Sequence, residues 1–322
     1  MIVCGIETSC DETSVSFFDS RKRSFYSVVS SQIDIHRRFG GVVPEIASRN
    51  HTLNIRAVYE DAIKMAGISN RDIDIIGVTY SPGLIGALFV GVSFAKGLSY
   101  VLGKPLIGVN HIIAHILSAE IENPIHPPYL GVVISGGHTH IFKIDSCYNF
   151  YLIGRTIDDA VGETFDKIAK FADLPYPGGP ELEKLALNGD ENKISFPIAL
   201  KNDTNFSFSG LKTNVINTIA THKYTLEDIC ASFQKTVSLT LAEKINLAIK
   251  KSSLNRVIVA GGVACNGYLR NNLPKIISGE VFFPSKGLCT DNGDMIAYTA
   301  FQMYKKKRFF GFEDIAVDSI KF

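Results

Sequence analysis

Apolar residues recur along this chain as short runs that alternate with longer stretches of helical periodicity. IVCGIE (2–7), TSVSFFD (13–19) and FYSVVSS (25–31) read as three strands joined by short turns. Residues 43–66 carry a long helical pattern. IDIIGVTY (73–80) reads as a strand, SPGLIG as a glycine-rich loop opening a helix, and PLIGV (105–109) as a further strand. The scheme then repeats. YLGVVIS, THIFKID and FYLIGRT are three more strands, and helical stretches run from Ala160 to about Lys251. RVIVA (256–260) is a strand ending in Gly-Gly, followed by a helix, EVFFP, and a last helix from about Asn292 to Lys306. Three hairpin-linked strands and then helix–strand–helix–strand, occurring twice, predict an α/β protein of two related lobes. The halves differ by a helical insertion over 157–224, and inserted loops on a shared scaffold are where specificity tends to sit.

The repeat extends to single residues. GIETSCDETSVSFFD (5–19) and GVVISGGHTHIFKID (131–145) align at an offset of 131 − 5 = 126 and share Gly5/Gly131, Ser9/Ser135, Thr13/Thr139 and Asp19/Asp145. Each reads as strand, tight polar turn, strand. Such a turn directs backbone N–H groups and hydroxyls at one spot and suits a phosphate.

Composition narrows the classes. With 322 residues, 46% of them hydrophobic, the chain can bury a sizeable core. Residues 83–103 form its most apolar stretch, but glycines and Lys96 interrupt it, so a buried helix is expected there rather than a membrane span. The N-terminus reads as a first strand, not a signal peptide, and a cytoplasmic protein is expected. Cysteines 4, 10, 147, 230, 265 and 289 form no C-x-x-C pair and read as free thiols. The net charge is +1, so any hold on nucleic acid needs a local basic patch or a basic partner. The candidate patches are Arg21–Arg23, Arg37 with Arg38, and Lys305–Arg308; each also reads as a solvated surface.

Several short patterns carry candidate chemistry. In HIIAH the i, i+4 spacing sets His111 and His115 on one helical face, half of a metal site. The metalloprotease pattern has a glutamate after its first histidine; Ile112 stands there, which removes the base for a metal-bound water. Asp291, in CTDNG, is either a helix N-cap or a third, oxygen ligand. SGGHT (135–139) gives the second turn two glycines, and His138 and His140 fall on one side of the next strand. AGGVACNGYLR places Asn266 at a helix start, where it can cap the helix or bind a ligand. Asp166, and Glu183 beyond the Pro-Gly-Gly-Pro loop, offer carboxylates beside glycine-rich segments, suited to ribose hydroxyls.

Together these segments resemble one family closely. GIETSCDETS, GGVVPEIASRNH, HIIAH, VISGGHT, FDKIAK, YPGGP, FSFSGLKT, AGGVACNGYLR and CTDNG occur in the order found in the TsaD family of tRNA threonylcarbamoyladenosine synthases, over nearly the whole chain. The resemblance implies the actin/Hsp70/sugar-kinase-like fold, two related lobes each with a mixed five-stranded sheet and a cleft between them. The lobes would be 1–108, with the C-terminal segment 292–322 packing back on it, and 109–291. It implies transfer of a threonylcarbamoyl group from threonylcarbamoyl-AMP to N6 of the adenosine 3′ of the anticodon in tRNAs reading ANN codons, with release of AMP. Implied metal ligands are His111, His115 and Asp291, holding Fe2+ or alternatively Zn2+. Implied substrate-binding positions are Val133, Ile134, Ser135, Gly136, Gly137, Asp166, Gly179, Glu183 and Asn266. The family often has Asp where Glu183 stands and a small residue where Asp294 stands; Asp294 is expected on the far side of its helix start, without effect on the metal. Implied partners are a TsaB-like heterodimer partner bound through the N-terminal lobe and a TsaE-like ATPase, besides tRNA itself.

An exocyclic adenine amine is a weak nucleophile and AMP a good leaving group, so such a reaction needs positioning and charge stabilisation more than a strong base. Asp11 and Glu12, in the first turn, are the candidate catalytic carboxylates for taking up the amine proton. The rival readings are a metallopeptidase, a sugar-kinase-like or Hsp70-like ATPase, and a non-catalytic scaffold. The first lacks its glutamate, and the last has no need of the ligands His111, His115 and Asp291.

Overall fold

The computed structural model describes residues 1–307 and 312–319. Arg308 of the third basic patch and part of the expected C-terminal segment 292–322 lie outside the described residues. The chain forms two compact units, Met1–Ile121 with Thr290–Phe322 and Glu122–Cys289.

The first unit holds strands β1 (Ile2–Glu7), β2 (Glu12–Asp19), β3 (Ser24–Ser31), β4 (Ile75–Ser81) and β5 (Leu106–Asn110) in the order β3-β2-β1-β4-β5. The hairpin strands pair antiparallel; β1, β4 and β5 pair parallel. Its helices are α1 (Ile33–Arg37), which the apolar pattern misses, α2 (Pro44–Ala66), α3 (Ile85–Leu102) and α4 (His111–Glu122), with α11 (Gly293–Lys305) returning from the far end of the chain. Ile6, Val15, Phe17, Ile76 and Val78 bury one face of the sheet with Ile55, Val58 and Tyr59 of α2 and Val92 and Ala95 of α3. On the other face Gly5 and Gly77, register neighbours on β1 and β4, leave room for α11. A Cβ on Gly5 would stand 2.4 Å from Ala297 N, and one on Gly77 2.5 Å from Ala300 Cβ. This close approach fixes where the first turn of α11 lies on the sheet.

Helix α3 departs from the buried helix that its composition predicts. Ala87, Leu88, Gly91, Val92 and Ala95 are buried, but Ile85, Phe89, Tyr100 and Val101 are exposed. The sheet covers only the small-residue side. By length and composition α3 is also the one helix among the described residues apolar enough to cross a membrane, with a third of it buried.

The second unit holds β6 (Tyr129–Ile134), β7 (Thr139–Ile144), β8 (Phe150–Arg155), β9 (Arg256–Ala260) and β10 (Glu280–Phe282) in the order β10-β9-β6-β7-β8. This is the same topology as the first sheet. The repeat holds in register too: Gly5 faces Ser16, and Gly131 faces Phe142, with 131 − 5 = 142 − 16 = 126. Its helices are α5 (Val161–Phe171), α6 (Gly178–Ala186), α7 (Ser209–Ala220), α8 (Leu226–Ser252), α9 (Gly267–Ile276) and the short α10 (Lys286–Cys289). Phe165, Phe206, Phe208 and Phe233 fill one core with the apolar residues of β6 and β9.

Candidate functional site

In the first unit, α4 begins directly after β5. Asn110 caps it, its Oδ1 accepting from the N–H of Ile112 (3.0 Å) and Ile113 (3.2 Å). The helix therefore starts at His111, and His111 and His115 share a face, their ring centroids 4.6 Å apart. Asp291 precedes α11, but the N-cap is Asn292, whose Oδ1 accepts from Met295 N at 2.9 Å. The N-cap role thus falls to Asn292. Asp291 Oδ1 lies 3.2 Å from His115 Nε2 and 3.5 Å from His111 Nε2.

Three pins set the turn that carries Asp291. Gly293 N donates to Ser14 Oγ at 2.9 Å, Ser16 Oγ donates to Asp294 Oδ1 at 2.5 Å, and Gly293 lies so close to β2 that a Cβ would meet Ser16 N at 2.7 Å. Asp294 is thus bonded to β2 next to the first turn, and burial raises its pKa.

One participant is absent from the sequence-based set. Glu7, at the end of β1 and fully buried, places Oε2 3.1 Å from His111 Nδ1 and accepts from Thr79 Oγ1 at 2.6 Å; its Oε1 accepts from Ser9 N at 2.5 Å. Ser9 Oγ also lies 3.1 Å from His111 Nδ1. A carboxylate and a hydroxyl at Nδ1 orient the ring and leave its Nε2 edge on the side of Asp291. Burial opposes charge on His111, but Asp291 and Glu7 outweigh it and push its pKa up to about 9. Burial likewise pushes Glu7 up and His111 outweighs it, holding Glu7 below the usual carboxylate range. His115 is driven down, chiefly by burial.

These residues fit a divalent cation. One ligand atom each from His111, His115 and Asp291 lies within 4.8 Å of the others. Donors about 2.1 Å from one ion at near-tetrahedral angles stand about 3.4 Å apart, which matches the two carboxylate–imidazole distances. Two imidazoles and one carboxylate suit Fe2+ or Zn2+ with coordination positions left open.

Asp11 ends the turn between β1 and β2 and Glu12 opens β2, both within the field of Asp291. Glu12 Oε1 accepts from Ser31 Oγ at 2.8 Å and its Oε2 is buried without a partner. Burial first, then Asp11 and Asp291, pushes Glu12 up to about 8, and burial also raises Asp11. Glu12 therefore holds a proton near neutral pH, and burial shifts Asp11 in the same direction.

In the second unit the predicted positions form a connected set around the turn between β6 and β7. Val133 and Ile134 are fully buried in β6, so only their backbone can face a ligand. Ser135 N donates to His138 O at 2.8 Å, closing the turn, and Ser135 O accepts from Gly162 N at 3.2 Å. A Cβ on Gly162 would meet Ser135 O at 2.6 Å, so glycine here lets α5 seat against the turn. Gly261, at φ +93, packs on Ile134, where a Cβ would meet the carbonyl oxygen at 2.6 Å. Asp166 accepts from Gly178 N at 2.8 Å, Glu183 accepts from Gly267 N at 2.7 Å, and Asn266 bonds both Leu269 N and Gln234 Oε1. The three side chains read as ribose or ligand contacts thus each hold a helix start in place, those of α6 and α9. Burial raises the pKa of Asp166. By contrast Gly136, Gly137 and Gly179 face open space, with nothing within 4 Å of an added Cβ and no left-handed backbone. His138 and His140 stack, ring centroids 5.4 Å apart, on the same side of the hairpin as the sequence predicts.

The TsaD family model, described as tRNA N6-adenosine threonylcarbamoyltransferase, matches residues 24–298. A protein of that name from Thermosipho africanus is 52% identical over 315 residues, covering 95% of each chain. One from Thermosipho melanesiensis is 48% identical over 327 residues, covering 99% of this chain and 98% of that one. Among solved structures, HypF from T. kodakarensis superposes with a TM-score of 0.68 at 15% identity, covering 98% of this chain and 49% of that chain. The activator of the 2-hydroxyisocaproyl-CoA dehydratase from Clostridium difficile superposes with a TM-score of 0.57 at 18% identity, covering 96% and 97%. At these identities the two structures bear on the fold alone: two lobes with mixed sheets, as the sequence pattern predicts.

Proposed function

We propose, for a chain that belongs to the TsaD family of tRNA N6-adenosine threonylcarbamoyltransferases, a division of the reaction between its two units. The chain is a transferase that acts on N6 of a tRNA adenosine. Its donor is threonylcarbamoyl-AMP, its acceptor the adenosine 3′ of the anticodon in tRNAs reading ANN codons, and AMP is the leaving group. The observation that carries this reading is the His111–His115–Asp291 cluster with Glu7 behind His111. It is a ligand set without a peptidase base: Glu7 is fully buried and engaged by Ser9, Thr79 and His111, on the imidazole edge away from Asp291.

In the first unit His111, His115 and Asp291 hold the divalent ion, Fe2+ before Zn2+. Bound there, the ion supplies Lewis-acid neutralisation of charge developing on a phosphate or carbamoyl oxygen. Glu7 fixes the ring of His111. Asp11 or Glu12, in its carboxylate form, takes up the amine proton as N6 attacks, and a raised pKa makes each a stronger base than an ordinary carboxylate. In the second unit the Ser135-Gly136-Gly137 turn donates to the donor's phosphate or carbonyl, and the open space at Gly136, Gly137 and Gly179 receives the nucleotide. Asp166, Glu183 and Asn266 serve by holding the starts of α6 and α9, with oxygens left over for ribose hydroxyls in the case of the carboxylates.

The exposed face of α3 takes the TsaB-like partner. Ile85, Phe89 and Tyr100 follow one stripe of the helix, and Leu53 of α2 adds to the exposed apolar surface of this unit. With a net charge of +1, the chain relies on that partner for part of its hold on tRNA, and a TsaE-like ATPase completes the set. A tRNA substrate puts the enzyme in the cytoplasm. The test is mass spectrometry of tRNA nucleosides from a strain in which this gene replaces the native copy. Threonylcarbamoyladenosine is expected at normal abundance; its absence with compatible partners present overturns the reading. Phe89→Asp is expected to abolish co-purification of the partner, and retention of the complex would remove α3 from the interface.

A further inference from the structure

Two thiols in the second unit have no part in the function above. Cys265 ends the 3-10 turn Gly262–Cys265, one residue before the cap Asn266, and Cys289 ends α10, two residues before Asp291 in the chain. Cys265 Sγ donates to Lys286 O, in α10, at 3.5 Å, and Cys289 Sγ, at the end of α10, donates to Pro284 O at 3.6 Å. Arg270, on α9, ties both segments together. Its Nε donates to Ala264 O at 2.7 Å, and its Nη2 donates to Pro284 O and, at 3.2 Å, to Cys289 Sγ. The guanidinium lies 5.0 Å from the centroid of the Phe283 ring. Cys289 is fully buried, whereas Cys265 is partly exposed. The Cys289 thiol, then the charges of Arg270 and Lys286, draw Cys265 down to about 7, while burial drives Cys4, Cys10 and Cys230 up. An accessible thiolate beside a buried thiol is the arrangement of an attacking and a resolving cysteine.

We propose that Cys265 and Cys289 form an oxidative modification site that takes peroxides and closes to a disulfide. The Cys265 thiolate attacks one peroxide oxygen; an S–O bond forms, the O–O bond breaks, and the departing hydroxide takes up a proton as water. The Cys289 sulfur then attacks the sulfenic sulfur of Cys265. An S–S bond forms, the S–O bond breaks, and the hydroxyl leaves with the Cys289 proton as a second water. Two thiols lose two electrons and two protons, and one hydrogen peroxide becomes two waters. The bond covalently joins the segment before Asn266 to the segment before Asp291.

The chemistry is testable whatever the substrate. The full-length, metal-loaded protein is treated with hydrogen peroxide and followed by intact mass and by peptide mapping without reductant. The expected product has lost two hydrogens, contains a Cys265–Cys289 cross-linked peptide, and returns to the starting mass with dithiothreitol. Cys265 should be consumed about tenfold faster than the exposed Cys147, in line with its own lowered pKa. Cys289→Ser should instead stop at a sulfenic acid on Cys265 that dimedone traps. The proposal is overturned if the wild-type map shows Cys147 or Cys10 oxidised first, or sulfinic acid on Cys265 with Cys289 still a thiol. These readouts come from the wild-type protein and need no variant to fold.

Discussion

The turn between β1 and β2 and the turn between β6 and β7 occupy the same register of the same hairpin and are lined by different side chains. Glu7 faces Ser14 across the first hairpin; at the same register Val133 faces His140 across the second. The scaffold agreement reaches minor details: Asp19 Oδ1 accepts from Arg21 N at 2.9 Å, and Asp145 Oδ1 accepts from Cys147 N at 2.9 Å, closing the next turn in each unit. The difference is one of side-chain charge. A carboxylate at position 7 reaches His111 and gives the first unit a polar, buried centre; valine at position 133 joins an apolar core and leaves the second turn to act through backbone and glycine. A repeated fold therefore holds geometry constant while single positions decide which half carries the candidate cation ligands.

The comparison breaks most strongly at the metal ligands. His115→Ala or Asp291→Ala is expected to lose stoichiometric metal and to lower the transfer rate about 10³-fold, equivalent to ~4 kcal/mol in the barrier. The same measurements on His140→Ala, at the other turn, should leave metal content unchanged. A ligand variant that still binds one ion per chain would sink the assignment. Glu7→Gln tests the position where the two hairpins diverge. It keeps the shape and an acceptor for Nδ1–H but removes the charge, and metal affinity is expected to fall about 10- to 100-fold in a chelator competition. Unchanged affinity would make Glu7 a packing residue like Val133.

The hairpin repeat, the alternation of strands and helices and the pair His111/His115 were legible because each is written in local spacing: a constant offset, runs of alternating residues, an i, i+4 interval. Glu7 was not legible, since it sits at the end of an apolar strand and its partner is 104 residues away. Asp291 and Asn292 are both able to cap a helix, and nothing in their order says that it is Asn292 that takes Met295 N. Asp166 and Glu183 read as ligand carboxylates because their backbone partners, Gly178 and Gly267, become neighbours only in the folded unit. The exposed stripe of α3 escaped for the opposite reason: composition reports how apolar a helix is, not how many of its sides are covered.

Glycines in the second turn separate packing from ligand space. Gly162→Ala forces a Cβ against Ser135 O and Gly136 Cα, and is expected to cost about 1–3 kcal/mol in urea unfolding. Gly136→Ala points into open space and should change stability by less than about 0.5 kcal/mol. Calorimetry with AMP should show the reverse order of sensitivity for Gly136→Ala, with binding weakened about tenfold, or ~1.4 kcal/mol. A Gly136→Ala protein that binds AMP normally would remove this turn from the nucleotide site.

The smallest effect is the most discriminating, because the two turns should answer pH with opposite signs. Burial, then Arg155, lowers the pKa of His140 to about 4. Folding therefore favours its neutral form, and that contribution is complete above pH 6.5 and is lost as the pH falls toward 4. Glu12 is raised to about 8, so the folded state keeps a proton that the unfolded chain releases near pH 4.5. Stability at this group is complete below pH 4.5 and declines as the pH rises toward 8. Each slope is bounded by about 1.4 kcal/mol per pH unit, and solvent reaching the partly exposed Glu12 reduces its share. His140→Gln should flatten the acid limb of a stability–pH curve and leave the neutral limb alone, while Glu12→Gln should do the opposite. If both variants moved the same limb, the chemical contrast between the equivalent turns would not extend to how each is held in the folded chain.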